Sequence, residues 1–168
     1  MSISLDTRLV RSANSTLGWL SRHNVDILRV SLGLIFFGFG LLKFFPGASP
    51  AEALVTRTVG ALTFGMVDGR NAVLMTAGLE CFIGLTLITG LLLRSGLLVL
   101  AVSLGGIMAP LVLFFNDLFP GGTPTIEGQY VLKDIVLAAA ALVIAARAFG
   151  LDGSQYKQPS RSDLIKAA

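Results

Sequence analysis

Residues 96–115, GLLVLAVSLGGIMAPLVLFF, form a run of twenty residues without one charged side chain. A helix of ~20 apolar residues is long enough to cross the ~30 Å hydrocarbon layer of a bilayer. The whole chain agrees with this, because 54% of its 168 residues are hydrophobic and only 14% are charged, whereas soluble domains carry about 25% charged residues. The sequence therefore predicts an all-α integral membrane protein.

Three further segments are apolar enough to be membrane helices: residues 26–45, 72–93 and 129–148. Arg29 and Lys43 bracket the apolar part of the first, and Lys133 and Asp134 lie near the start of the last. The result is a predicted four-transmembrane-helix bundle. We divide the chain into an N-terminal segment (1–25), the membrane domain (26–148) and a polar tail predicted to be disordered (149–168).

The basic residues predict the orientation of this bundle in the membrane. With both termini in the cytoplasm, the outer side holds four of the thirteen basic residues, Lys43, Arg57, Arg70 and Lys133, and the inner side holds the rest. This bias follows the positive-inside rule and predicts a multi-pass membrane protein with both termini on the cytoplasmic side. Residues 26–45 also have some features of a signal peptide, but the late charged start and Lys43 at the far end favour a retained anchor.

The two predicted outer loops differ in character. In residues 46–70, the apolar side chains Leu54, Val55, Val59, Leu62 and Met66 have the spacing of a short amphipathic helix on the membrane surface or over the bundle. Residues 116–128, NDLFPGGTPTIEG, are rich in proline and glycine and predict an irregular loop. Pro110, which follows Gly105 and Gly106, predicts a kink in the third membrane helix.

One face of the first membrane helix carries a regular stripe. Arg29, Gly33, Phe36, Gly40 and Lys43 recur at steps of four, three, four and three, so they lie on the same side of a helix. The two glycines allow a neighbouring helix to approach closely. The stripe is consistent with a simple packing seam with charged ends, and equally with one wall of a functional site.

Glu80 is a carboxylic acid in the middle of an apolar segment, and Thr76 and Gly84 share its helix face. A charge at mid-bilayer costs roughly 2.5–3.5 kcal/mol on insertion scales. Glu80 should therefore be paired, protonated or in contact with water. We predict that it pairs with Lys43 or Lys133.

The predicted topology brings further polar residues to the outer half of the bundle with Glu80. These candidates for a ligand-binding pocket are Lys43, Asp117, Tyr130, Lys133 and Asp134. The alternative is that each lysine extends independently to the lipid headgroups while Glu80 is a neutral acid bonded to a backbone carbonyl.

The composition excludes several kinds of function. One cysteine, Cys81, excludes an intramolecular disulfide and a CxxC redox pair, and one histidine, His23, excludes bis-histidine haem ligation within the chain. Cys81 is predicted to pack as a small hydrophobic residue. The basic residues flank apolar runs and form no patch for nucleic acid. No metal, thiol-pair or flavin motif is present, so we do not expect this chain to be an enzyme on its own.

Three segments resemble the DoxX family of small bacterial membrane proteins: RVSLGLIFFGFGLLKFF, GLECFIGLTLITGLLLR and EGQYVLKDIVLAAAALVIAAR. The last also resembles a related group associated with resistance to reactive chlorine, through its Leu-Lys-Asp step. The resemblance implies a four-helix bundle with Arg29, Lys43, Glu80 and Lys133 as the matching polar positions. Relatives include the small subunit of a thiosulfate:quinone oxidoreductase, so it also implies a quinone ligand and a redox-protein partner.

Three functions remain open at this stage. The chain is a quinone-binding or anchoring subunit of a redox or oxidative-stress system, a transporter that uses Glu80 as a proton site, or a structural membrane scaffold. The lipid bilayer is a partner in all three, and the sequence leaves a homo-oligomer open.

Overall fold

The computed structural model describes residues 3–151, with side chains from residue 17 onward. Seven α-helices make up most of this range: α1 (Ile3–Lys43), α2 (Glu52–Leu62), α3 (Gly69–Thr89), α4 (Leu93–Met108), α5 (Pro110–Leu113), α6 (Phe115–Leu118) and α7 (Ile126–Ala148). A 3-10 turn, Pro120–Gly122, precedes α7. The predicted all-α class is confirmed for this part of the chain.

Three helical stretches are long and apolar enough to cross a membrane: Leu17–Lys43, Gly69–Thr89 and Leu93–Leu113, the last formed by α4 and α5. The protein thus has the make-up of a multi-pass membrane protein. The 23-residue α7 is not among these stretches and carries Lys133 and Asp134 in its first half. The fourth span and the orientation therefore remain predictions.

The first helix is much longer than its membrane-spanning part. It begins at Ile3, so most of the segment 1–25 continues the same helix instead of preceding it. Hydropathy limits the part that lies in lipid, but it does not end a helix, and residues 3–25 contain no proline. Residues 152–168, which include most of the predicted tail, lie outside the described range.

The four long helices α1, α3, α4 and α7 share one hydrophobic core. Each contributes two of its buried residues: Leu32 and Phe36 from α1, Ile83 and Leu87 from α3, Leu97 and Leu100 from α4, and Ala141 and Ile144 from α7. These buried side chains make dense van der Waals contacts with one another, and such contacts are the main attraction between helices inside a membrane. This core fixes where the polar residues of each helix meet.

The backbones of α1 and α3 approach each other closely along an antiparallel seam. A Cβ atom added at Gly84 would lie 2.6 Å from the backbone nitrogen of Phe37, and one at Gly40 would lie 2.9 Å from the Cβ of Glu80. Gly33 is equally crowded by Leu87. The glycines of the stripe on α1 and of the Glu80 face on α3 therefore bring the two backbones together.

The chain interrupts its third span at the expected place. Pro110 has no N–H, and the amide of Ala109 donates to both Gly105 O (3.0 Å) and Gly106 O (3.3 Å) before α5 begins.

The helix predicted in the first outer loop, residues 46–70, is also present, as α2, which packs against α3 and buries Thr58. It ends at Leu62, and Met66, predicted to lie on its apolar face, is instead 82% exposed in the following turn.

Candidate functional site

A buried ion pair joins α1 to α3. Lys43, the last residue of α1, donates a hydrogen bond from Nζ to Oε2 of Glu80 at 2.6 Å. The two residues are only 3% and 8% exposed. Gly40, one helical turn before Lys43, has no side chain and so allows α1 to pass directly over Glu80. Of the two lysines considered for this pair, Lys43 is the partner.

Asp134 brings a second carboxyl group to this pair from α7. It is half-buried, and its charge interacts with those of Lys133, Glu80 and Lys43. Thr76, one turn before Glu80, donates its hydroxyl to Ala72 O at 2.9 Å and so binds its own helix. The buried cluster therefore consists of the Lys43–Glu80 ion pair and the partly buried carboxyl group of Asp134, contributed by three helices.

Lys133 lies in a separate, open cleft at the start of α7. The cleft has a volume of about 330 Å³ and is lined by Ile126, Gln129, Tyr130 and Lys133. The Nζ of Lys133 is 3.8 Å from the centre of the Tyr130 ring and 5.7 Å from that of Phe39 on α1. An ammonium at these distances is attracted by the electron-rich faces of both rings.

The local sequence positions this cleft. The side chain of Thr125 accepts a hydrogen bond from the Gly128 amide at 3.1 Å and so caps the first turn of α7. Gly128 lies against Leu118, whose carbonyl oxygen would be 2.6 Å from an added Cβ. The cap and this close approach fix the start of α7, and Gln129, Tyr130 and Lys133 follow within two turns.

Asp117 belongs to neither group. It forms an ion pair with Arg57 of α2, and both side chains are about half exposed. The guanidinium of Arg57 also lies 3.9 Å from the centre of the Phe114 ring. The six residues predicted to line one pocket are thus distributed over a buried cluster, an open cleft and a surface ion pair.

Two arginines close helix ends in a way that the sequence analysis missed. Arg70, at the start of α3, donates to Lys43 O at 2.9 Å and Phe44 O at 2.6 Å at the end of α1. Arg29 on α1 donates to Leu87 O at 2.5 Å, near the end of α3. Each helix supplies the cation that its antiparallel neighbour's terminal carbonyls need. The available signal was an arginine near the start of each of the two predicted spans, 26–45 and 72–93.

The described residues offer few groups for metal or redox chemistry. No cluster of three or more His, Cys, Asp or Glu side chains within this part of the chain could hold a metal ion. Cys81 is partly buried beside Gly40, with its Sγ 4.0 Å from the Phe37 carbonyl oxygen. Its position in the α1–α3 seam is that of a packing residue.

Comparison of the chain with known protein families, with curated proteins and with solved structures finds no match. The resemblance to the DoxX family therefore stays a prediction that depends on the three quoted segments.

Proposed function

We propose that this protein is a four-helix subunit of a bacterial inner membrane that binds a quinone headgroup and anchors a redox partner. Both termini are cytoplasmic, and the start of α7 lies in the outer half of the bilayer. The observation that carries the proposal is the open cleft in which Gln129, Tyr130 and Lys133 lie side by side.

The cleft has the chemistry that a quinone requires. A quinone presents two carbonyl oxygens, which accept hydrogen bonds, on a flat ring. Lys133 and the Gln129 amide supply donors, and Tyr130 supplies both a hydroxyl and an aromatic face. Ile126 and the exposed apolar side chains of α7 form the wall toward the lipid, where an isoprenoid tail would lie.

The buried cluster acts as the scaffold of this site. Lys43 and Glu80 satisfy each other in a closed space, so neither is free to bind a ligand in this conformation. They hold α1 against α3, and the centre of the Phe39 ring on α1 then lies 5.7 Å from the ammonium of Lys133. This assigns Glu80 a positioning role and moves the ligand-binding role to α7. The redox centre itself would belong to the partner protein.

One observation favours a second function, proton-coupled transport. Glu80, Lys43 and Asp134 place three titratable groups from three helices within electrostatic reach of one another. Such clusters occur in proton relays of membrane transporters. In that case, proteoliposomes containing the protein alone would carry out proton-coupled uptake, and Glu80→Gln would abolish it.

A photoactivatable ubiquinone analogue tests the first proposal. The protein is reconstituted in nanodiscs, labelled, digested and analysed by mass spectrometry. We expect saturable labelling within residues 126–133, reduced by excess unlabelled quinone and reduced severalfold in Lys133→Met and Tyr130→Phe. Asp117→Asn, at the separate surface ion pair, is the matched control and should label normally. Labelling that is uncompeted, or that is unchanged in both cleft variants, contradicts the proposal.

The anchoring role requires its own measurement. A redox enzyme should co-purify with the protein in mild detergent, and the complex should contain quinone. A chain that purifies without a partner, without quinone and without transport activity would leave the role of structural scaffold.

A further inference from the structure

A narrow apolar groove runs between α4 and α7, at the end of the bundle opposite the cleft. Its volume is about 260 Å³. Leu97, Ala101 and Leu104 of α4 form one wall, and Ala138, Ala141 and Ala145 of α7 face them. The alanine methyl groups are too short to fill the space between the helices, so a groove remains where larger side chains would have closed it.

The surroundings of the groove are also apolar. Leu142, which also lines the groove, is 71% exposed, and Val102, the neighbour of the lining residue Ala101 in α4, is 80% exposed. In a multi-pass membrane protein these side chains face hydrocarbon, so the groove opens toward lipid. An α-helix is about 10 Å in diameter with its side chains and does not fit into a space of this volume, whereas a stretch of one extended acyl chain does.

Arg94 lies at one end of this groove. Arg94, Leu97, Ala101 and Leu104 follow one another at steps of three, four and three, so the arginine shares the helix face that lines the groove. Its Nε donates to Ala148 O at 3.4 Å, and the guanidinium lies 5.7 Å from the centre of the Phe149 ring. Arg94 is exposed, and the bond through Nε leaves its two Nη groups available to an outside acceptor.

We infer that this groove binds one anionic phospholipid, with its phosphate on Arg94 and one acyl chain between α4 and α7. The site combines a cation that is held in place by Ala148 with an apolar channel that begins one turn away. A guanidinium matches the geometry of a phosphate oxygen pair. This inference is independent of the proposed quinone site. Only the assignment of the lipid to the cytoplasmic leaflet rests on the orientation given under the proposed function.

Native mass spectrometry of the full chain, titrated in detergent with lipids of identical chains, tests the inference. The probes are dioleoylphosphatidylglycerol and dioleoylphosphatidylcholine. We expect the first bound phosphatidylglycerol to have roughly fivefold higher affinity than phosphatidylcholine, because both lipids carry the phosphate but Arg94 repels the choline cation of phosphatidylcholine. Arg94→Gln should remove this preference. Ala138→Leu, which fills the groove, should weaken both lipids. Glycerol 3-phosphate, which has no chain, should not compete.

Two matched variants separate this site from general effects. Arg147→Gln removes an exposed cation from the same end of α7, and Ala139→Leu adds the same side chain at an exposed position outside the groove. Both should bind lipid like the wild type. Phosphatidylglycerol preference that persists in Arg94→Gln, or equal losses in Ala139→Leu and Ala138→Leu, overturns the inference. So does an Ala138→Leu variant that loses a dimer but keeps its lipid, because a second copy would then occupy the groove. Circular dichroism confirms that each variant is folded.

Discussion

Replacing Lys43 by methionine should destabilise the bundle strongly, because it leaves Glu80 as a buried carboxyl group without its partner. Lys43 and Glu80 are 3% and 8% exposed, so water cannot replace the lost hydrogen bond. Breaking a buried ion pair from one side typically costs about 3–5 kcal/mol. Lys43→Met should lie at the upper end of this range, since it removes the positive charge that offsets the negative charges of both Glu80 and Asp134.

Glu80→Gln should cost less than Lys43→Met. The glutamine amide still accepts a hydrogen bond from the Lys43 ammonium, and Asp134 remains as a countercharge. The double variant Lys43→Met/Glu80→Leu should recover most of the loss, because replacing both partners of a buried pair with apolar groups is often neutral or stabilising. Lys43→Met, Glu80→Leu and this double variant together form a double-mutant cycle with a large coupling energy.

The free energy of unfolding can be measured in bicelles by denaturant titration or steric trapping. Asp117→Asn provides the exposed control: its pair with Arg57 is about half exposed, and such pairs contribute roughly 0–1 kcal/mol. The reasoning is refuted if Lys43→Met costs no more than Asp117→Asn. It is also refuted if the effects of the two single changes simply add in the double variant.

Two other changes test the α1–α3 seam. Gly84→Ala places a Cβ 2.6 Å from the Phe37 backbone and should lower the free energy of unfolding by about 1–3 kcal/mol. Gly78→Ala, whose added Cβ meets nothing within 4 Å, is the control and should leave the free energy of unfolding unchanged or raise it by up to about 1 kcal/mol. Equal melting temperatures for the two variants would contradict the close approach of α1 and α3. Arg29→Gln removes the guanidinium from Leu87 O and should lower the free energy of unfolding by about 1.5–3 kcal/mol in the same assay. Hydrogen exchange of the backbone amides that follow Leu87 in α3 should also become faster. Unchanged exchange rates would show that the contact has no effect.

The sequence was most informative where one residue's environment is determined by its own helix. The positions of the long helices followed from hydropathy, and the stripe from Arg29 to Lys43 identified the face of α1 that meets α3. Glu80 lies deep in an apolar run, where a carboxylate is expected to need a partner, and in the structure Lys43 is that partner. These features depend on periodicity and on the cost of a charge in lipid, both of which are local properties.

The remaining features depend on how helices meet, which local patterns do not specify. Asp117 pairs with Arg57 because α2 folds back over the bundle, and no spacing in the sequence indicates this path. Lys133 is a surface residue because α7 is rotated so that Asp134 faces the interior. A rotation of one residue, about 100°, would exchange the roles of these two neighbours.

The α1–α3 seam is held in register at three heights. Arg29 binds near the end of α3, Lys43 binds Glu80 within the bundle, and Arg70 binds the end of α1. Sliding α1 by a single turn, about 5.4 Å, would break all three contacts at once, and the interlocked glycine backbones oppose smaller shifts. The two helices α1 and α3 are therefore expected to move as one rigid unit. Relative movement of helices in this bundle is therefore expected away from the α1–α3 pair, between α4 and α7, where the alanine-lined groove leaves space between the helices.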